Sequence, residues 1–172
     1  MERASHALVA GGRTWLIDPV DNPRVDQLEN VAGVIQLLDR HNRDCAAIAS
    51  RLNVQHLVLP RQPVAPFVPI PVRRNEVALW WPERAALVCA DALGTARYYR
   101  AGDERLAVHP LMRFRPPRFD VKPEVILCGH GPGVFEDADA ALREALSTSR
   151  ARIPKQFVSA IRAAWRSRPR PR

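Results

Sequence analysis

Lysine is nearly missing from this 172-residue sequence: two of its 26 basic side chains are Lys and the rest are Arg. Long apolar runs are missing too. None approaches the ~18 residues that a membrane-crossing helix needs. Cysteine is sparse. Cys45, Cys89 and Cys128 are odd in number and form no C-x-x-C pair. That argues against a disulfide scaffold or a cysteine-built structural zinc site. Each cysteine is expected to pack as a small buried hydrophobe. No acidic residue follows Glu144, whereas eight basic ones lie from Arg150 onward, and the other 18 basic residues match the 18 acidic ones. The net charge of +8 therefore belongs to the C-terminal end and not to a charged domain surface. Nucleic-acid binding is left as a secondary reading, confined to the Arg-rich tail. The opening "MERASHALVAGG" has one Arg and too short an apolar run for a signal peptide, so the cytoplasm is expected.

What remains is 47% hydrophobic and patterned. "SHALVA" and "RTWLIDP" flank Gly11-Gly12 and read as a hairpin. "VAGVIQLL" (31–38) suits a strand buried on both faces. Cys45, Ile48, Ala49 and Leu52 then fall at helical spacing, with Asn42 as the expected N-cap and Asn53 as the stop. A strand is expected at 56–60. The proline-rich "RQPVAPFVPIPV" excludes a helix and suits a central strand poorly. Further strands are expected at 76–81, 85–91 and 124–128, and helices at 136–150 and 155–165. Residues 1–165 read as a single α/β (α+β) domain and 166–172 as a disordered basic tail.

Polar residues cluster where the apolar strands end: Asp39 to Asp44 after the third strand, Asp91 after "LVCA", and His130 between Gly129 and Gly131. Such positions line the crevices of α/β folds. Four blocks in order, "GGRTWLIDP", "VIQLLDRHNRDCAAIASRL", "EVALWWPERAALVCADAL" and "VILCGHGPGVFEDADAALREAL", resemble the metallo-β-lactamase superfamily over residues 7–148. The resemblance implies an αβ/βα sandwich of two mixed sheets with a metal cleft along one edge. It also implies that His130 is the last metal ligand.

The family's ligand pattern is depleted. Against its H-x-H-x-D-H loop, the gapless register places Asp39, His41, Arg43 and Asp44. A one-residue shift instead places Arg40, Asn42, Asp44 and Cys45. The gapless register keeps His41 and more possible ligands. The His of the family's G-H-T block is absent: Val72-Arg73-Arg74-Asn75 stands there. Asp91 occupies the position of the family's bridging Asp. The metal candidates are therefore Asp39, His41, Asp44, Asp91 and His130. Arg43, Arg73 and Arg74 are candidate anion-binding groups. Guanidinium beside a cation is repulsive, so the expected cofactor is none: a degraded, salt-bridged cleft in a non-catalytic or divergent protein that binds a small anionic ligand or partner. The alternative is one divalent ion, Zn, Mn or Fe, in a mononuclear hydrolase of a small ester or phosphorylated substrate. The family's two-metal hydrolysis is not expected. His6, His56 and His109 show no partner pattern.

Overall fold

A computed structural model describes residues 3–155, without the side chains of Asn42 and Arg43. The expected tail at 166–172, the domain end at 165 and residues 156–165 of the last expected helix lie outside the described residues. In chain order the elements are β1 (His6–Ala10), β2 (Arg13–Ile17), β3 (Val31–Gln36), α1 (Asn42–Arg51) and β4 (Gln55–Val58). Then come β5 (Val68–Arg73), β6 (Glu76–Trp81), β7 (Ala86–Cys89), the short pair β8 (Leu93–Gly94) and β9 (Ala107–Val108), β10 (Val125–Cys128) and α2 (Ala138–Thr148). Two four-stranded sheets result, ordered β1-β2-β3-β4 and β10-β7-β6-β5. Both are mixed: β2, β3 and β4 run parallel, as do β7 and β10, while β1 and the β5-β6-β7 meander pair antiparallel.

Side chains alternate across a strand, so a strand apolar at every position must be covered on both faces. Trp15 and Ile17 of β2, Ile35 of β3, Val77, Leu79 and Trp81 of β6 and Val88 of β7 meet between the sheets. The intervening Leu16 and Val34 face Cys45, Ile48 and Ala49 of α1. Ala78, Leu87, Cys89, Ile126 and Cys128 face Ala141, Leu142 and Ala145 of α2. The layers are therefore helix, sheet, sheet, helix, and the α/β sandwich of two mixed sheets is the architecture observed. The proline-rich segment supplies β5 at a sheet edge, where a missing N–H costs least.

Two expected boundaries move for local reasons. The run 31–38 leaves the sheet after Gln36, because the Leu37 N–H donates to the Asp18 carboxylate at 2.9 Å and the Gln36 amide donates to the Leu38 and Asp39 carbonyls at 2.9 and 3.0 Å. Those bonds turn the chain into the short 3-10 turn Asp39–His41. His41, not Asn42, is the N-cap of α1, and no side chain caps it. Asn53 does end that helix region with a left-handed backbone, φ 52. Asp18 follows β2, the Asp39–His41 turn follows β3, Asp91 follows β7 and His130 follows β10. Each lies at the carboxyl end of a parallel strand, where α/β folds open their crevices.

Candidate metal centre

His41, Asp91 and His130 come together at these strand ends. Asp91 Oδ1 lies 3.1 Å from His130 Nε2 and 3.3 Å from His41 Nε2. One ligand-capable atom from each residue falls within 4.8 Å of the others, the one such group among the described residues. All three side chains are nearly out of solvent, at 10, 8 and 6% exposure.

Each is held from behind. Asp18 Oδ2 pairs with His41 Nδ1 at 3.0 Å, while Asp18 Oδ1 accepts from Leu37 N. A carboxylate on the far nitrogen fixes the proton there and turns the Nε2 lone pair outward, the usual support of a metal-binding imidazole. Behind Asp91, buried Glu76 accepts the Asp91 and Ala92 N–H groups at 2.8 and 2.6 Å and pairs with Arg73 at 2.8 Å. The Tyr99 hydroxyl donates to the Asp91 carbonyl at 3.1 Å, and its ring lies 5.7 Å from that of His130.

The glycines around His130 are steric requirements. A Cβ on Gly129 would sit 2.6 Å from the Ala90 carbonyl oxygen. Gly131 has φ 88, and a Cβ there would sit 2.4 Å from Ala96 N and Thr95 Oγ1. This close approach lets Thr95 N and Ala96 N donate to the His130 carbonyl at 3.0 and 3.2 Å. The loop thereby fixes the backbone that carries the imidazole.

The electrostatics follow from burial and pairing. Burial alone would lower the His41 pKa, but hydrogen bonds and charge from Asp18 and Asp91 outweigh it and hold the pKa up at about 9. Burial would raise Asp91, but the two imidazoles hold it well below the usual carboxylate range. Burial raises Glu76 against the pull of Arg73 and the two N–H donors. His109 is lowered by desolvation, and its ring packs 5.4 Å from that of Tyr99.

Of the five metal candidates, three therefore meet and two point elsewhere. The Asp39 carboxylate is exposed and contacts Asn75 at 3.3 Å. The Asp44 carboxylate accepts the Asp21 N–H at 3.0 Å. Among the anion candidates, Arg73 is committed to Glu76, Arg74 is exposed, and the Arg43 side chain lies outside the described part. The guanidinium on the cluster belongs to Arg40, whose Nη2 donates to Asp91 Oδ2 at 2.9 Å. Arg40, Asp18, Glu76 and Tyr99 were not among the candidates. Asp18 had a signal, since it ends the strand of "TWLIDP"; Glu76 and Tyr99 act through backbone contacts that no spacing discloses. Cys89 and Cys128 pack toward α2, where burial raises both thiols, Cys128 to about 12. That disfavours the thiolate needed for a ligand or nucleophile.

No protein-family model matches the sequence significantly, and no curated protein does. Solved structures do. TTHA1623, determined in a di-iron-bound form, matches at 17% identity and a TM-score of 0.51, over 79% of this chain and 91% of that one. A metallo-β-lactamase from Erythrobacter litoralis matches at 14% identity and a TM-score of 0.52, over 87% of this chain and 81% of that one. The chain has the metallo-β-lactamase fold. Within that fold, the expectation of no cofactor is overturned by the three-residue cluster. The guanidinium charge that motivated it does not fill the ligand position: Arg40 takes Asp91 Oδ2, Arg73 takes Glu76, and Asp91 Oδ1 faces the two imidazoles. Two imidazole nitrogens and one carboxylate oxygen suit a divalent ion of the Zn, Mn or Fe class, with an open position left for water or substrate.

Proposed function

We propose that this protein holds one divalent metal ion on His41, Asp91 and His130 and hydrolyses a small anionic ester there. The observation that carries the reading is the set of three ligand atoms within 4.8 Å of one another, with Asp18 supporting the far nitrogen of His41. The di-iron form of TTHA1623, a protein of the same fold, is in keeping with it. One ion is proposed rather than two because no second such group occurs among the described residues, and Arg40 occupies the other oxygen of Asp91. Three free cysteines suit a reducing compartment, and the cytoplasm is the proposed location. Among the described residues no helix is long and apolar enough to cross a membrane.

The chain's own residues would do the following. Asp18 keeps the proton of neutral His41 on Nδ1, leaving Nε2 to bind. Asp91 supplies negative charge at a position fixed by Glu76 and Tyr99. His130 closes the third side on a backbone locked by Thr95 and Ala96. A divalent ion bound there supplies Lewis acidity toward an ester or phosphoryl oxygen. The nearly complete burial of the three side chains strengthens each of these interactions relative to water.

The test is metal titration of the purified full chain after chelator treatment, with the bound metal counted by mass spectrometry. One equivalent of Zn, Mn or Fe is expected, falling at least 100-fold in affinity in Asp91→Asn and His130→Ala variants that retain wild-type circular dichroism. Turnover of a phosphate or carboxylate ester by the loaded protein, lost in Asp91→Asn, completes the reading. Wild-type protein that takes up no metal at millimolar concentration, or that takes up two tight equivalents, refutes it.

A further inference from the structure

We propose that Arg40 acts as a fixed second cation beside the metal position, and that the two together clamp the oxygens of a dianionic phosphoryl group. This rests on the single-metal reading above and extends it by naming the substrate class.

The geometry of Asp91 is the first support. Its Oδ1 faces the Nε2 atoms of His41 and His130, and its Oδ2 accepts from Arg40 Nη2 at 2.9 Å. A metal ion at the three-residue cluster and the Arg40 guanidinium would thus sit on the two oxygens of a single carboxylate. A tetrahedral oxyanion is wide enough to place one oxygen toward each.

The second support is the contrast in burial. The Arg40 side chain is 56% exposed, whereas its Asp91 partner is 8% exposed. Guanidinium carries five N–H donors in a rigid fork suited to phosphate and carboxylate oxygens. The bond to Asp91 engages one of its nitrogens, and more than half of the side chain stays exposed to solvent. Nor is Arg40 a loosely tethered surface side chain. It lies within the Asp39–His41 turn, which is fixed by the Gln36 amide on the Asp39 carbonyl and by His41 N donating to Leu38 O at 2.9 Å. Arg73, by contrast, pairs through Nε with buried Glu76 rather than with Asp91.

Charge is the third support. Asp18 and Asp91 supply two negative charges to the cluster and Arg40 one positive. A divalent ion bound through neutral imidazoles leaves this centre positive. A dianion is then favoured over a monoanion, and a monoanion over a neutral ester.

The experiment is calorimetric titration of inorganic phosphate, with acetate as the monoanionic control, into the zinc-loaded full chain and its Arg40→Gln and Arg40→Lys variants. Zinc stoichiometry is counted on the same samples. Phosphate is expected to bind the wild type at least tenfold tighter than acetate. It should bind Arg40→Gln at least tenfold more weakly than the wild type, and Arg40→Lys should fall between, because an ammonium restores the charge and not the fork. Zinc should stay at one equivalent throughout and be held more tightly in Arg40→Gln, where a like charge has been removed. Phosphate affinity within twofold of wild type in Arg40→Gln, with zinc still at one equivalent, overturns the clamp and leaves the metal site standing. Acetate binding as tightly as phosphate overturns the dianion assignment. Failure of the wild type to take zinc overturns the metal reading and this inference with it.

Discussion

Arg113 and Glu104 form an ion pair with 0 and 1% side-chain exposure, well away from any solvent that could screen it. Arg113 donates to both Glu104 oxygens, at 3.0 and 2.7 Å, and to the Tyr99 carbonyl at 2.7 Å. Replacing Arg113 by Met would leave the Glu104 carboxylate buried with the Ala101 N–H as its remaining hydrogen bond. An uncompensated buried charge costs about 3–5 kcal/mol. A domain of this kind is stable by ~5–15 kcal/mol in total, so the loss is a large part of it. The double variant Arg113→Met/Glu104→Leu removes the stranded charge and leaves only the neutral Ala101 N–H and Tyr99 carbonyl without these partners, at about 1–3 kcal/mol each. The double variant should therefore be more stable than Arg113→Met alone. Urea unfolding followed by circular dichroism, with chelator present so that metal does not contribute, measures both. The effect should reach the metal cluster as well. Tyr99 links this network to the Asp91 carbonyl and the His130 ring, so Arg113→Met should bind metal more weakly in the fraction that is folded. An Arg113→Met midpoint equal to wild type, or a double variant less stable than the single one, would show that the pair does not carry this load.

Two further outcomes are expected. In the metal-free protein His41 titrates at about 9 against its ordinary 6.5, so its imidazolium contributes stability that is complete below pH 6.5 and disappears as pH rises through 9. The size is on the order of 3 kcal/mol, and urea midpoints between pH 6 and 9.5 that stay level or rise would contradict it. Gly131→Ala must fit a Cβ at 2.4 Å from Ala96 N with φ 88, so metal affinity should drop at least tenfold along with a lower melting temperature, and wild-type values for both would exclude the steric account of this loop.

The fold was legible because each strand's burial pattern is written in its residues. β6 reads apolar at five successive positions after Glu76, and β7 at all four. Only a layer covered on both faces accommodates that, and the order of such runs with their glycine and proline stops fixed the sandwich. The cluster was legible where its residue directly follows a strand. Asp91 lies two residues beyond β7 and His130 two beyond β10, so their positions are set by paired strands. The segment after β3 was not legible in the same way. Between Gln36 and α1 the chain leaves the sheet through a turn built by the Gln36 amide and the Asp18 carboxylate, contacts between residues up to 19 positions apart. Matching spacing alone treats Asp39, His41 and Asp44 as equivalent, but this turn sends His41 inward and leaves Asp39 on the surface.

The same turn explains how an arginine-rich sequence keeps three possible ligand atoms together. Guanidinium charge near a carboxylate cluster argues against a cation only when it competes for the same oxygen. Here the competition is divided between atoms: exposed Arg40 reaches Oδ2 of Asp91, and the two largely buried imidazoles converge on Oδ1. In the metal-free state the cluster satisfies itself, because protonated His41 and Arg40 balance Asp18 and Asp91. A divalent ion held at Oδ1 would take the place of the Nε2 protons that His41 and His130 direct at that oxygen, and would leave the Arg40 bond to Oδ2 in place. On the proposed reading, the three side chains that meet at Asp91 Oδ1 offer a place for one ion.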